Sequence, residues 1–141
     1  MTATISLSSQ MRLAVMRLSR RLRQQSVGDI TQSQLSALAT VERSGAVSLG
    51  ELAEIERVAP PSMTRIAARL EERGLLARTA DLSDRRIARV AITLEGRELL
   101  DETRTRRDAY LATRLAAMTP EEQEVLVRAL PLLERLARNE E

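Results

Sequence analysis

Apolar residues recur at helical spacing through most of this chain, and the period breaks once. Leu7, Met11, Ala14, Val15, Leu18 and Leu22 fall on one face, predicting a helix from about Ser8 to Gln25. Leu13 and Met16 are apolar on other faces, so this helix should meet more than one neighbour. A second helix is predicted from Thr31 to Arg43, a short third from Leu49 to Arg57, and a fourth over residues 60–73. The period then changes in "LLARTADLSDRRIARVAIT", where Ile87, Arg89 and Ala91 alternate with Ala88, Val90 and Ile92. That alternation predicts a small hairpin of Leu75–Thr79 and Ile87–Thr93 around the polar tip "ADLSDRR". The helical period returns at Leu94 and should last to about Met118. A final helix, Pro120 to about Arg138, is apolar over a wide arc from Val125 to Leu136. Pro131 is expected to kink or interrupt it, because proline removes a backbone bond and clashes with the preceding turn.

Local chemistry marks the ends of these elements. Thr31-x-x-Gln34, Ser48-x-x-Glu51 and Thr119-x-x-Glu122 each read as a capping box, and Pro120 suits a first helical position. Gly45 and Gly74 stand where a left-handed terminal residue is wanted. The resulting fold class is mainly α: six helices with one small β-hairpin between the fourth and fifth.

Composition narrows the function classes. The chain has 141 residues, enough for one domain of ordinary size, and no apolar run long enough to span a bilayer. Its first ten residues carry no secretion signal, so a cytoplasmic protein is expected. Cysteine and histidine are both absent, which excludes disulfides, thiolate metal sites and the commonest general base. No cofactor and no metal are expected. Tyr110 is the sole aromatic residue, too few for stacking of single-stranded bases. All 22 basic residues are arginine, which forks onto phosphates and guanine edges.

The net charge of +2 hides a division. Residues 1–30 and 57–94 each carry +4, whereas residues 31–56 and 95–141 each carry −3. The second positive block contains "RVAPPSMTRIAARLEERGL". On a helix over residues 60–73, Met63, Ile66, Ala67 and Leu70 form an apolar side, and Ser62, Arg65, Arg69 and Arg73 another. Pro60 and Pro61 fix φ through the first turn without loss of a hydrogen bond. With the preceding helix and the turn at Val58–Ala59, this reads as a helix-turn-helix whose second helix suits a DNA major groove. The hairpin tip, with Asp81, Asp84, Arg85 and Arg86, follows it directly. A wing needs this: an arginine for the neighbouring minor groove and a carboxylate to orient it.

Residues 52–99 resemble the MarR family of winged helix-turn-helix regulators. The resemblance rests on "T-R-x-x-x-x-L-E-x-x-G-L", then "D-x-x-D-R-R", then "T-x-x-G-R", and the helix order extends it over nearly the whole chain. It implies a homodimer in which residues 1–30 and 94–141 form a helical dimerisation region and residues 31–93 a DNA-binding lobe. It implies Ser62, Thr64 and Arg65 at the major groove, Pro60 and Pro61 at its mouth, and Arg69 and Arg73 as flanking contacts. Asp84 and Arg86 would be the wing pair. The activity implied is repression from a pseudo-palindromic operator, released by a small anionic aromatic ligand. Candidate lining residues of a crevice for that ligand are Met16, Arg17, Arg20, Arg21, Leu35 and Leu38. Family branches that sense oxidation through cysteine do not apply here.

Two rival classes follow from the same residues. An enzyme would need a nucleophile among Ser, Thr or Tyr, and neither a glycine-rich phosphate loop nor a Gly-x-Ser-x-Gly elbow exists. A winged-helix module for a protein partner would want apolar side chains outward on residues 60–73, where Ser62, Arg65 and Arg69 stand instead.

Overall fold

The three capping boxes all form, and they set the frame of the chain. The computed structural model describes residues 5–138. Its elements are α1 (Leu7–Arg23), α2 (Gln32–Ser44), β1 (Val47–Ser48), α3 (Leu49–Glu56), α4 (Pro60–Glu72), β2 (Leu76–Ala80), β3 (Ala88–Ile92), α5 (Leu94–Ala116) and α6 (Pro120–Ala137). Thr31, Ser48 and Thr119 cap α2, α3 and α6, each with the reciprocal bond from the side chain three residues on. Gly45 and Gly74 hold φ near +73° and +71°. Arg57 ends α3 in the left-handed region at φ 53°, a role the sequence did not advertise because it has no glycine there.

The sheet has three strands in the order β1-β3-β2, all antiparallel. The hairpin was expected, one residue earlier in its first strand; the third strand was not. β1 is two residues long and immediately enters α3 through its capping serine, too short to show any period. Pro131 does not interrupt α6, which runs to Ala137. Proline's fixed φ of about −65° is itself helical, and only one donor is lost.

The chain divides into two compact units within α5, between Arg107 and Asp108. In the first, Leu38 and Val41 of α2, Leu52 of α3, Met63 and Leu70 of α4 and Val90 of β3 are completely or almost completely buried. Leu100 brings the start of α5 onto the same core. Gly96 makes that approach possible: a Cβ there would collide with the Leu75 carbonyl and the Ile92 side chain. Thr93 fastens the joint, donating to the Gly74 carbonyl at 2.6 Å and accepting from the Gly96 amide at 3.0 Å. Thus the "T-x-x-G" spacing has a packing reason. The second unit holds the end of α5 and α6, and α6 buries no residue.

Candidate nucleic-acid interface

Helix α4 is seated by its apolar side. Met63, Ala67 and Leu70 are buried, and the opposite side presents Pro60, Pro61, Thr64, Arg65 and Arg69 to solvent, with Ser62 half-buried. Ala59 offers no side-chain cap; Pro60 and Pro61 open the helix, and the Met63 amide closes the first turn on the Ala59 carbonyl at 3.0 Å. The neighbouring α3 is pinned to α2 by Glu56, which accepts from Ser36 Oγ at 2.8 Å and Thr40 Oγ1 at 2.6 Å. That bidentate tie fastens α3, the first helix of the helix-turn-helix, to α2, and neither spacing nor charge in the sequence announces it.

The polar groups of α4 divide into tied and free. Arg65 donates to Ser62 Oγ at 3.3 Å, and Thr64 donates back to the Pro60 carbonyl at 3.0 Å. The Thr64 hydroxyl thus spends its proton on its own helix. Arg73, at the end of α4, donates to the Asp29 carbonyl at 2.8 Å in the α1–α2 connection. Arg69 has no ion pair among the described residues, so its charge is free for an outside anion.

On the wing, Asp84 holds Arg86. Its carboxylate accepts from Arg86 Nε at 3.1 Å, from the terminal guanidinium nitrogen at 3.2 Å and from the Arg86 amide at 3.0 Å. The Arg86 guanidinium, then its amide, holds the Asp84 carboxyl below the usual carboxylate range. Arg86 remains 90% exposed despite the pairing. Arg85 is exposed beside it and makes no ion pair among the described residues. The wing leans on α4 through Arg78, whose Nε donates to both oxygens of Glu71 at 2.8 and 3.0 Å.

Asp81 proves more than a tip residue. It is 7% exposed and accepts from the Ser83 hydroxyl, the Ser83 amide and the Asp84 amide on one oxygen, and from Arg89 Nε at 2.8 Å on the other. Ser83's two bonds, then Arg89, push its carboxyl far below the ordinary value. The Arg89 partnership was legible only through strand register. Thr79 faces Arg89 across the hairpin, so Asp81 is the diagonal neighbour on the same face.

The residues expected around a ligand crevice separate. Met16, Arg17 and Arg20, with Leu13 and Arg23, line an open groove of about 420 Å³ on α1. Arg21 is exposed on the same helix but does not line it. Leu35 and Leu38 are core residues at 5% and 0% exposure, so the apolar face of α2 is spent on the lobe interior and not on a crevice.

The MarR family model matches residues 30–88, the stretch from the start of α2 through the wing tip. An uncharacterised HTH-type transcriptional regulator of Mycobacterium bovis is 42% identical over 128 residues, which is 90% of each chain. The chain belongs to the MarR family. The crystal structure of a proposed transcriptional regulator from Pseudomonas aeruginosa superposes on this MarR-family chain with a TM-score of 0.86, at 35% identity and 95% coverage of both chains. The HTH-type transcriptional repressor MdtR of Bacillus subtilis is 37% identical over 93 residues, 66% of this chain and 60% of MdtR. Membership makes this chain a DNA-binding winged helix-turn-helix regulator of transcription and not an enzyme. Among the described residues, no helix is long and apolar enough to cross a membrane.

Proposed function

We propose that this MarR-family chain works in the cytoplasm as a homodimeric repressor, bound to a pseudo-palindromic operator and released by a small anionic aromatic ligand. One observation carries the DNA-facing half: on a single lobe, the outward row of α4 and the exposed, carboxylate-held Arg86 stand free of other ion pairs among the described residues. In this reading Ser62, Thr64 and Arg65 meet bases in the major groove, with Pro60 and Pro61 at its mouth. Arg69 and Arg85 take phosphates, and Arg86 enters the minor groove. Arg73 serves mainly by holding the α1–α2 connection to α4, since its guanidinium is already engaged with the Asp29 carbonyl.

The dimer is supported by surface left over. Val125, Val127, Leu130, Leu132 and Leu136 of α6 are each more than half exposed, as are Leu7 and Met16 of α1. A second copy is the covering that a homodimer supplies, with residues 1–30 and 94–141 as dimerisation region and 31–93 as the lobe. Repression is supported by the relationship to MdtR. The ligand class is supported by the α1 groove, where Met16 offers apolar contact and Arg17 and Arg20 offer charge to a carboxylate.

The test is binding of purified protein to DNA upstream of its own gene, titrated with salt, with and without salicylate. The proposal expects tight binding that falls steeply with salt, because phosphate contacts release counterions, and that salicylate weakens. Binding indifferent to salicylate removes the ligand class. Salt-insensitive or absent binding to every duplex tried favours a protein partner for the winged lobe.

A further inference from the structure

The wing tip is joined to the helix-turn-helix by a relay of charged side chains, and two of its members, Arg89 and Asp81, are given no DNA contact in the reading above. The relay begins at the α3 capping box. Glu51 accepts from the Ser48 amide at 3.4 Å, and the same carboxylate oxygen faces an Arg89 nitrogen at 3.6 Å. Arg89 donates from that nitrogen to the Ala46 carbonyl at 3.4 Å, and from Nε to Asp81 at 2.8 Å. Asp81 gathers the Ser83 hydroxyl at 2.7 Å, the Ser83 amide at 2.8 Å and the Asp84 amide at 3.3 Å. Asp84 in turn grips Arg86.

We infer that Arg89 and Asp81 are positioning residues for DNA binding: through Asp84 they fix where Arg86 points, and through Glu51 and Ala46 they fix it relative to α3. The inference rests on the DNA-binding reading and names a device that reading does not require. Exposure separates the roles. The side chains of Arg86, Arg89 and Asp81 are 90%, 30% and 7% exposed, so the outermost member meets the duplex and the inner two hold it. Two of the Arg89 nitrogens are already committed to acceptors of the same chain, which leaves it a poor phosphate ligand. An arginine on an untethered hairpin would lose loop and rotamer freedom on binding; a tip fastened beforehand has already lost it. Arginine suits this position because its fork reaches several acceptors at once, which an ammonium on one stem cannot reproduce.

The experiment is a double-mutant cycle on a duplex that the wild-type protein itself selects from a random-sequence pool. Arg89→Leu is expected to weaken binding roughly 5- to 30-fold, and Arg89→Lys to weaken it about as much, since a point charge does not bridge the same acceptors. In an Arg86→Ala background both should cost less than about twofold further. In the free protein, the Ser83 and Asp84 amides of Arg89→Leu should exchange faster while the Val41 amide stays protected, which shows that the lobe is folded. Recovery of affinity by Arg89→Lys, or an undiminished loss without Arg86, would mean that Arg89 touches DNA itself and would overturn the positioning role. A wild-type protein that selects no duplex overturns the DNA-binding reading instead, and the two failures are told apart by that first step.

Discussion

Leu38, Leu52, Met63, Leu70 and Val90 are all but sealed inside the winged lobe, whereas α1 and α6 bury no residue at all. Both regions are rich in leucine and valine at helical spacing. What differs is the supply of partners. Helices α2, α3 and α4 and the three strands turn their apolar faces toward one another, so the lobe realises its hydrophobic free energy within one chain. The terminal helices keep theirs in water until something covers them. Polar groups follow the same division: Glu56, Asp81 and Arg89 each hold two or more partners inside the lobe. Among the described residues, the side-chain bonds of α6 are the capping box and one amide to the Leu115 carbonyl. In the dimer we propose, lobe stability should not depend on protein concentration, whereas the arrangement of the terminal helices should.

The largest effect should come from breaking the lobe. Leu38 is fully buried, and Leu38→Ala removes its contacts and leaves a cavity, costing about 2–5 kcal/mol of folding free energy. Chemical denaturation checks this. The same loss should appear at low and high protein concentration; a loss that vanished on dilution would place Leu38 at an intermolecular surface.

A comparable perturbation of the terminal helices should read out differently. Leu130→Glu with Leu133→Glu places two charges on the exposed apolar side of α6. In the dimer we propose, the pair should raise the dissociation constant at least about 100-fold, equivalent to about 2.7 kcal/mol, as sedimentation would show. Lobe amide protection should stay as in wild type. An unchanged dimer would assign the apolar surface of α6 to another partner.

Next comes the joint between lobe and α5. Gly96→Ala pushes a methyl against the Leu75 carbonyl and Ile92, and overpacking of this kind costs about 1–3 kcal/mol. Thermal unfolding measures it. A neutral result would mean that α5 shifts freely on the lobe, contrary to the Thr93 bonds that fasten it.

How much of this was legible before the fold was known depends on how local each feature is. Capping boxes span four residues, and all three form where the sequence predicts them. The proline-opened α4 and the order helix-turn-helix then hairpin were legible for the same reason. β1 was not, because two residues carry no period and its pairing with β3 joins Val47 to Val90. The bonds from Arg73 to Asp29 and from Arg89 to Asp81 depend on the path of the chain and on hairpin register. Leu35 and Leu38 show a subtler limit. Periodicity identifies the apolar face of α2, but whether that face looks at a crevice or a core is decided by α3, α4 and α5.

The smallest effect lies in the wing, where acid can test how firmly the lobe side of the comparison extends to its tip. The Asp81 carboxyl is stabilised in its charged form by the Ser83 hydroxyl, then the Ser83 amide, then Arg89. An unfolded aspartate titrates near ~3.9. Since the folded value is lower, the contribution of Asp81 is whole above the ordinary value and is lost as pH falls through the depressed one. Arg86 lowers Asp84 in the same direction. The Ser83 and Asp84 amide resonances should therefore keep their positions as the sample is acidified through pH ~4 and begin to move only below it. In Arg89→Leu the midpoint should rise toward the ordinary value, because Arg89 is one of the groups that hold the Asp81 carboxyl in its charged form. A wild-type midpoint at or above ~3.9 would mean that the bonds around Asp81 are not kept in solution, and the wing would then belong with the terminal helices, completed only when a partner arrives.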